Sequence, residues 1–419
     1  MADHSALLTR FKPRLCYDSQ EAFVADSAEM MCAWPGCTLR HAPPPDGDGM
    51  VLAGGSGNPA PALDLLGERT YEDDGVVAAT DLLALGTKSY RTMYVKLRRE
   101  RGDLCNRIYG RGCRDGDGRL WLQYWFFYVY NDYHLAANFG LHEGDWEMIQ
   151  IRLKEDDQDA EGAVYAQHDY AEEREWSEVA KPEDRPDTPL VFVGRGSHAS
   201  YFEPGVYGTE AWFDIAEGDG FAPELALEVV DGGPPWTLWP GVWGATRARV
   251  KKLESDSPGG PSTHDQWEDP AKLVAKAANR PAGAVRKDAE SPNASLTARR
   301  LGRRLLVRCD ASGFPTDDPP DRVVVTVNSR EEHTMPPRTF TFSVGGRRPT
   351  SFVAEQVVLD PEKPYDVDLS VTTASGLPSK SVKVAISPQQ PPPGATLKGE
   401  LALIGIWVRE RLRSLVDRE

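Results

Sequence analysis

The segment His142-Glu143-Gly144-Asp145-Trp146-Glu147 combines an imidazole with carboxylates at a spacing that suits a metal site. Apolar residues alternate with period two as the segment continues through residues 148–153, which is typical of a β-strand. One face of this strand then carries Asp145, Glu147, Ile149, Ile151 and Leu153. Ionised carboxylates at the edge of such an apolar face need compensation. We infer a bound divalent cation, with a buried ion pair to arginine or lysine as the alternative.

Other polar residues follow predicted strands at comparable positions. Asp132 comes after an aromatic run at residues 120–130, His168 stands at the end of the run 163–168, and His198 comes after residues 190–193. Adjacent strands would bring these side chains to one rim of a sheet, together with His142, Asp145 and Glu147. Such an oxygen-rich set suits Mg²⁺ or Ca²⁺ best, and Mn²⁺ also fits.

Zinc is the alternative metal. It would use His142, His168 and His198 as ligands and leave Glu147 or Asp145 as a general base for water.

The overall composition indicates a soluble globular protein with more than one core. Of the 419 residues, 40% are hydrophobic, and the formal net charge is −16 with a pI of about 5.1. An acidic surface argues against nucleic acid as a partner, because phosphate binding needs a basic one. The sequence shows no transmembrane segment.

The expected location is the cytoplasm. Residues 1–12 contain no apolar run of the kind found in a secretory signal, although export without a signal peptide is an alternative. The six cysteines show no CxxC pair, so reduced thiols are expected. In an oxidising compartment Cys32 could bridge to Cys37, and Cys105 to Cys113.

Short apolar runs between Gly, Pro and Asp clusters predict an all-β protein. A large β-sandwich is expected over residues 1–278, including a strand at Ser89–Leu97. A linker is expected at 279–300, where large apolar residues are scarce. Six or seven strands predict a small immunoglobulin- or fibronectin-like β-sandwich at 301–387. The run Pro364–Leu369 and the turn at 374–379 resemble the fibronectin type III pattern.

The last segment, 388–419, reads as a Pro-rich linker followed by an amphipathic helix. Its apolar residues recur at helical spacing: Leu397, Leu401, Ile404, Val408, Leu412 and Leu415. Such a helix would dock on its own protein, or else bind a protein partner or a membrane surface.

The order of several motifs over about residues 7–275 resembles the vacuolar protein sorting-associated protein 62 family. The likeness rests on the following residues and ranges: 11–13 with 18–23, 125–132, 142–147, Tyr165 with His168, 196–201, 243–244, 257–261 and Trp267. It implies a sorting-related role and little about activity.

The spacing His142-x-x-Asp145-x-Glu147, with Asp132 upstream, is similar to the metal site of the necrosis-inducing toxin family, whose motif reads Gly-His-Arg-His-Asp-Trp-Glu. That likeness implies a β-sandwich whose divalent cation recognises a sphingolipid headgroup at a membrane. It also implies Asp132, His142, Asp145 and Glu147 as the metal ligands. Glu143 and Gly144 replace the Arg-His pair of that motif here.

These observations predict a cation-dependent, toxin-like or sorting-related binding module for a polar ligand such as a lipid headgroup or a glycan. His168, His198, Ser197 and Tyr201 would contact that ligand or support the metal ligands. One alternative is a metal-dependent hydrolase in which Glu147 or His168 activates a bound water. A second alternative is a metal-free scaffold in which the motif is a structural ion pair.

Overall fold

The computed structural model describes most of the chain up to residue 388. The described residues are 3–388 except 42–49, 56–57, 70–80, 87–88, 134–139, 209–212, 246–256, 280–293, 313, 315–318, 331–336, 348, 374–378 and 380. They form two compact units, Met1–Asp288 and Ala289–Glu419. The boundary falls within the segment predicted as a linker. With 43% strand and 17% helix, the protein belongs to the all-β class.

The described residues of the first unit form five α-helices and fourteen strands. The helices are α1 (Ser5–Arg10), α2 (Glu29–Cys32), α3 (Leu63–Glu68), α4 (Tyr90–Glu100) and α5 (Ala271–Ala278). The strands are β1 (Arg14–Cys16), β2 (Thr38–His41), β3 (Met50–Gly54), β4 (Asp81–Ala84), β5 (Arg107–Arg114), β6 (Leu120–Asp132), β7 (Leu141–Leu153), β8 (Ala160–Gln167), β9 (Tyr170–Glu175), β10 (Leu190–Val193), β11 (Ser200–Tyr201), β12 (Gly205–Gly208), β13 (Phe213–Ala216) and β14 (Ala226–Val229).

The centre of the first unit is a six-stranded sheet in the order β14-β5-β6-β7-β8-β9. Its long middle strands, β6 and β7, are antiparallel and pair over most of their length, with Tyr128 opposite Asp145 and Phe126 opposite Glu147. Side chains on both faces of β6 are buried, as the run of aromatic residues predicts. The alternation predicted for β7 is also confirmed, because Ile149, Ile151 and Leu153 all enter one core.

Smaller sheets cover both faces of this central sheet. The sheet β1-β10-β11 contributes Leu15, Val191 and Val193 to the core that contains Ile149 and Ile151. The sheet β3-β2-β4 contributes Leu39, Ala53 and Leu83 to the core on the opposite face, which is rich in tryptophan. The first unit is therefore sandwich-like with a third layer, rather than the two-layer sandwich predicted from the sequence.

The second unit consists of two sheets around one core. Its strands are β15 (Ser295–Leu301), β16 (Arg304–Asp310), β17 (Pro320–Ser329), β18 (Arg338–Ser343), β19 (Thr350–Ala354), β20 (Tyr365–Thr373) and β21 (Val382–Ile386). The sheets have the orders β15-β16-β19 and β18-β17-β20-β21, and both contribute to a core that includes Val307, Val325 and Leu369. Strand β15 begins inside the segment predicted as a linker, because it pairs with β16 along its whole length.

One predicted strand is wrong. Residues Ser89–Leu97 were expected to be extended, but most of them lie in α4. Tyr90, Tyr94 and Leu97 are the buried positions, which is the spacing of one helix face. The predicted C-terminal helix lies outside the described residues. All six cysteines are free thiols, and none of the described helices has the length and apolar character needed to cross a membrane.

Candidate functional site

A buried carboxylate–imidazole pair lies where β7 meets the loop after β10. His198 Nδ1 is 2.8 Å from Asp145 Oδ2, and the imidazole stacks on the ring of Tyr128 with centroids 3.8 Å apart. Tyr128 is opposite Asp145 in the sheet, so one cross-strand pair provides both the acid and the stacking surface. The predicted proximity of Asp145 and His198 is thus present in the fold.

A second acid, Glu21, approaches the other side of the same imidazole. Its Oε1 is 3.7 Å from His198 Nε2. The Glu21 carboxylate also accepts backbone hydrogen bonds from Ala22, Phe23 and Gly196, at 2.7, 2.9 and 2.6 Å. Burial alone lowers the pKa of His198, but Asp145 and Glu21 outweigh it and raise that pKa to about 9. His198 is therefore a buried imidazolium held between two carboxylates at neutral pH.

A second such pair joins His168 and Asp214. His168 Nε2 lies 2.7 Å from Asp214 Oδ2, and the Tyr201 hydroxyl donates to the same oxygen at 2.5 Å. Burial raises the pKa of Asp214, but the charge of His168 and the hydrogen bonds from His168 and Tyr201 lower it overall. Burial likewise opposes charging of His168, yet Asp214 raises the pKa of this histidine. Its side chain is 34% exposed, so this pair reaches solvent.

Glu147 lies near both pairs and differs from the other acids of the site. Its carboxylate makes no hydrogen bond or ion pair with any residue in the described ranges. Burial raises the pKa of Glu147 well above its usual value, and the negative charges of Asp145 and Asp214 raise it further. Lys276 opposes this shift from α5 without reversing it. The partly buried carboxylate of Glu147 is thus repelled by those of Asp145 and Asp214.

Both histidines have an unusual backbone conformation. His168 has φ of 54° and His198 has φ of 58°, in the left-handed region where residues other than glycine are uncommon. Strain of this kind persists only where the surroundings fix it, and it concentrates at functional sites. At both positions the strained residue is the one whose imidazole contacts a buried carboxylate.

Two of the four predicted metal ligands are engaged elsewhere. The Arg91 guanidinium binds Asp132, with Nε 2.7 Å from Oδ2. The ring nitrogens of His142 are 2.7 Å from the Asn131 amide nitrogen and 2.7 Å from the Gly144 carbonyl oxygen. Asp132 therefore forms an ion pair with an arginine, which was the alternative to a metal site in the sequence analysis. The predicted ligand set is therefore divided, with Asp145 and Glu147 on one side and Asp132 and His142 on the other.

Gly144 explains much of this division. Glu143 and Asp145 are two residues apart and would share a face of a regular strand. Instead Glu143 accepts hydrogen bonds from Tyr90 Oη at 2.7 Å and Leu85 N at 3.0 Å, while Asp145 faces His198. Gly144 has φ of 62°, and this left-handed residue interrupts the alternation.

The sequence reasoning missed Glu21 and Asp214. Glu21 belongs to the segment 18–23 that contributes to the family resemblance, but nothing local in it indicates a histidine partner more than a hundred residues away. Asp214 offers a signal, because it is a single acid within the short strand Phe213–Ala216. Among the described residues, the group of acids with ligand atoms within 4.8 Å of one another is a different one: Asp18, Glu217 and Asp219.

The buried imidazolium predicts a pH-dependent stability. The folded-state pKa of His198, about 9, exceeds the unfolded value of about 6.5. Its contribution is therefore complete below about pH 6.5 and is lost as the pH rises through about 9, on the order of 3 kcal/mol in total. We expect His198→Gln to be less stable than the wild type at pH 6, with the difference shrinking by that amount towards pH 10. Urea unfolding followed by tryptophan fluorescence measures it. Parallel pH curves would contradict the assignment.

Comparisons with known proteins give no family for this chain. No protein-family model matches it, and no curated protein matches it. The resemblance to the vacuolar protein sorting-associated protein 62 family therefore stays a prediction.

Three solved structures show weak likeness. Necrosis and Ethylene inducing Protein 2 from the causal agent of cocoa's Witches Broom disease is 12% identical over 55% of this chain and 75% of its own, with a TM-score of 0.26. The third fibronectin III domain of human KIAA0343 protein is 13% identical over 28% of this chain and all of its own, with a TM-score of 0.18. Red sea bream transglutaminase is 8% identical over 65% of this chain and 36% of its own, with a TM-score of 0.20. At these scores the likenesses carry no argument about function.

Proposed function

We propose that the pocket around Glu147 binds a divalent cation, and that this cation holds a polar ligand such as a lipid headgroup or a glycan. The observation that carries the proposal is the uncompensated carboxylate of Glu147. The negative charges of Asp145 and Asp214 add to the rise in the pKa of Glu147, and no described residue donates a hydrogen bond to Glu147. A cation would neutralise the repulsion that the protein leaves unresolved.

The chemistry of the donors indicates which cation is expected. Glu147 and its charged neighbours Asp145 and Asp214, on β7 and β13, carry carboxylate oxygens, and the imidazole of His168 lies beside Asp214 at the exposed edge. Oxygen donors suit Mg²⁺ or Ca²⁺, and the imidazole also admits Mn²⁺ or Zn²⁺. Asp132 and His142 are left out of this revised set because their partners are Arg91, Asn131 and the Gly144 carbonyl, none of which is among the charged neighbours of Glu147. The exposed part of His168 leaves room for a ligand from solvent.

The second unit fits the role of an attachment module in this proposal. Its sheets of three and four strands support the proposal that it is a fibronectin-like domain. The acids and imidazoles of the pocket all belong to the first unit.

A metal-dependent hydrolase is the second candidate. The raised pKa of Glu147 favours it, since a carboxyl group that burial makes less acidic can hold a proton and pass it to a ligand. The contact with Asp214 also orients His168 as a second proton carrier. Turnover would separate this candidate from a binding module, and His168→Ala would abolish it while leaving most of the cation affinity.

The test is calorimetric titration of chelator-treated protein with Mg²⁺, Ca²⁺, Mn²⁺ and Zn²⁺. Glu147→Gln removes the charge and keeps the shape, so we expect cation affinity at this pocket to fall by at least about tenfold. The same variant should unfold at a higher temperature than the wild type without metal, because the repulsion is gone. Glu155→Gln, an exposed acid in the turn after β7, is the matched control and should change neither quantity.

Two results would contradict the proposal. Equal affinity in the wild type and Glu147→Gln for all four metals would make the first unit a metal-free scaffold. A lower unfolding temperature for Glu147→Gln would show that its carboxylate has a structural partner.

A further inference from the structure

The second unit contains an arginine-rich hairpin, although the protein as a whole is acidic. Residues 289–419 hold 18 Lys and Arg against 16 Asp and Glu, whereas the whole chain holds 48 against 64. Five of those arginines, and only one acid, lie within Ser295–Asp310, the hairpin formed by β15 and β16. The pocket around Glu147 belongs to the first unit and makes no use of this hairpin.

Strand β16 divides its side chains between the core and the outer side of the sheet β15-β16-β19. Leu305 and Val307 enter the core of the second unit. Arg304 and Arg308 alternate with them and therefore lie on the outer side. Arg308 is exposed and Arg304 is half-buried. The guanidinium of Arg304 donates to the Glu355 carbonyl oxygen.

Strand β15 and the turn add two further arginines. Leu296 enters the core, so Arg299 lies on the outer side, opposite Leu306 of β16. Arg303 lies in the turn between the two strands. Arg299 and Arg303 are both exposed, and within the described ranges no hydrogen bond or ion pair joins either side chain to another residue. Neither arginine is therefore explained by a contact within the second unit.

Arg300 is the exception and shows what a structural arginine of this hairpin does. It lies on the core side, because it alternates with Arg299. Its guanidinium donates to three backbone carbonyl oxygens, those of Asp360, Lys363 and Ser387, at 3.2, 2.9 and 3.1 Å. The exposed arginines of the hairpin make no such set of contacts.

The outer side of this sheet carries more arginines than acids. By the same alternation, its acids are Asp310 at the end of β16 and Glu355 just after β19. The other outer positions are uncharged and include no aromatic residue: Ser295, Thr297, Leu301, Leu306, Ser351 and Val353. Leu306 is buried, as an apolar residue is when long arginine stems flank it.

We propose that the arginine face, defined as Arg299, Arg303, Arg304 and Arg308, binds the surface of an anionic lipid bilayer. Guanidinium groups pair well with the phosphate and carboxylate groups of lipid headgroups. A sheet presents such groups side by side, which suits a flat layer of headgroups. Without aromatic side chains the face offers no stacking surface for nucleic-acid bases. The negative charge of the first unit does not prevent this contact, since salt screens charges beyond about 8 Å.

The expected strength follows from the number of arginines. Each Lys or Arg close to an anionic membrane strengthens binding about fivefold. Removing Arg299 and Arg303 together should therefore weaken binding about 25-fold. The attraction should also depend on salt, because the Debye length falls from about 10 Å at 0.1 M to about 3 Å at 1 M.

The experiment is sedimentation of the full chain with lipid vesicles in buffer that contains a chelator, so that a cation at Glu147 cannot contribute. We expect binding to vesicles made of equal parts phosphatidylserine and phosphatidylcholine, and little binding to phosphatidylcholine alone. Arg299→Gln and Arg303→Gln should each weaken binding about fivefold. Arg330→Gln is the matched control, since Arg330 is 48% exposed and pairs with Asp366 of the other sheet. It should leave vesicle binding unchanged.

Three outcomes would overturn this proposal. One is equal sedimentation of the wild type with both kinds of vesicle. Another is binding that Arg299→Gln and Arg303→Gln leave unchanged while their circular dichroism matches that of the wild type. The third is an equal loss of binding in Arg330→Gln, which would show that total charge rather than this face is recognised. Binding to a DNA oligonucleotide in the absence of vesicle binding would likewise replace the lipid surface by a different partner.

Discussion

Asp26→Ala is expected to destabilise the first unit by about 3–5 kcal/mol, because it leaves the buried guanidinium of Arg98 without its negative partner. Arg98 Nη1 binds Asp26 Oδ1, and the side chains of both residues are at most 1% exposed. Asp26 also accepts from Tyr94 Oη at 2.7 Å and from Asn106 N at 2.7 Å. Urea unfolding followed by fluorescence reports on this unit, since every tryptophan except Trp407 lies within residues 1–288.

An exposed pair with similar chemistry provides the control. Arg101 and Asp103 contact each other at 2.9 Å with side chains 36% and 62% exposed, and Asp103→Ala is expected to change the stability very little. The double variant Asp26→Leu with Arg98→Met should recover much of the loss, since it removes both buried charges. A loss below about 1 kcal/mol for Asp26→Ala would show that water reaches Arg98.

Gly144→Ala is the second substitution with a large expected effect, about 3–5 kcal/mol of destabilisation. Its φ of 62° disfavours alanine, and a Cβ there would lie 1.9 Å from the Trp243 carbonyl oxygen. Relief of this contact requires β7 to move, which would displace Asp145 and Glu147. We therefore expect weaker cation binding at Glu147 as well, measured by the same calorimetric titration.

Gly118→Ala separates the two causes of this loss. Gly118 has φ of 82°, but a Cβ there would meet nothing within 4 Å. Only the backbone cost of about 1–2 kcal/mol is expected at this position. Equal losses for Gly118→Ala and Gly144→Ala would mean that the contact with Trp243 relaxes freely.

Local patterns in the sequence predict the parts of the fold that depend on local physics. Alternation in residues 145–153 identifies which side chains of β7 enter the core, because strand geometry repeats every two residues. The apolar runs of the second unit fall in β16 to β21 for the same reason. The segment 90–100 is predicted wrongly because its aromatic residues favour a strand, whereas the fold buries one helical face.

The site depends on partners that the sequence does not place. The spacing of Asp145 and Glu147 singles them out as candidates, whereas Glu21 and Asp214 come from distant segments and reach the histidines only when the sheets assemble. The pairing of Arg91 with Asp132 is of the same kind, since an arginine on α4 removes a predicted ligand. The sequence shows that residue 144 is a glycine. That Glu143 and Asp145 point to different partners follows only from its positive φ, which the structure provides.

Two parallel strand pairs have a consequence for synthesis of this protein. Arg14 pairs with Leu190, and Arg107 pairs with Ala226, so both the cover sheet and the edge of the central sheet close only after long intervening stretches. At about 5–20 residues per second, a ribosome needs on the order of ten seconds between Arg107 and Ala226. During that interval the apolar faces of β6 and β7 are exposed to solvent in the nascent chain. Yield in a heterologous host should therefore improve with extra chaperone, which lowers the chance that unfinished sheets of two nascent chains associate.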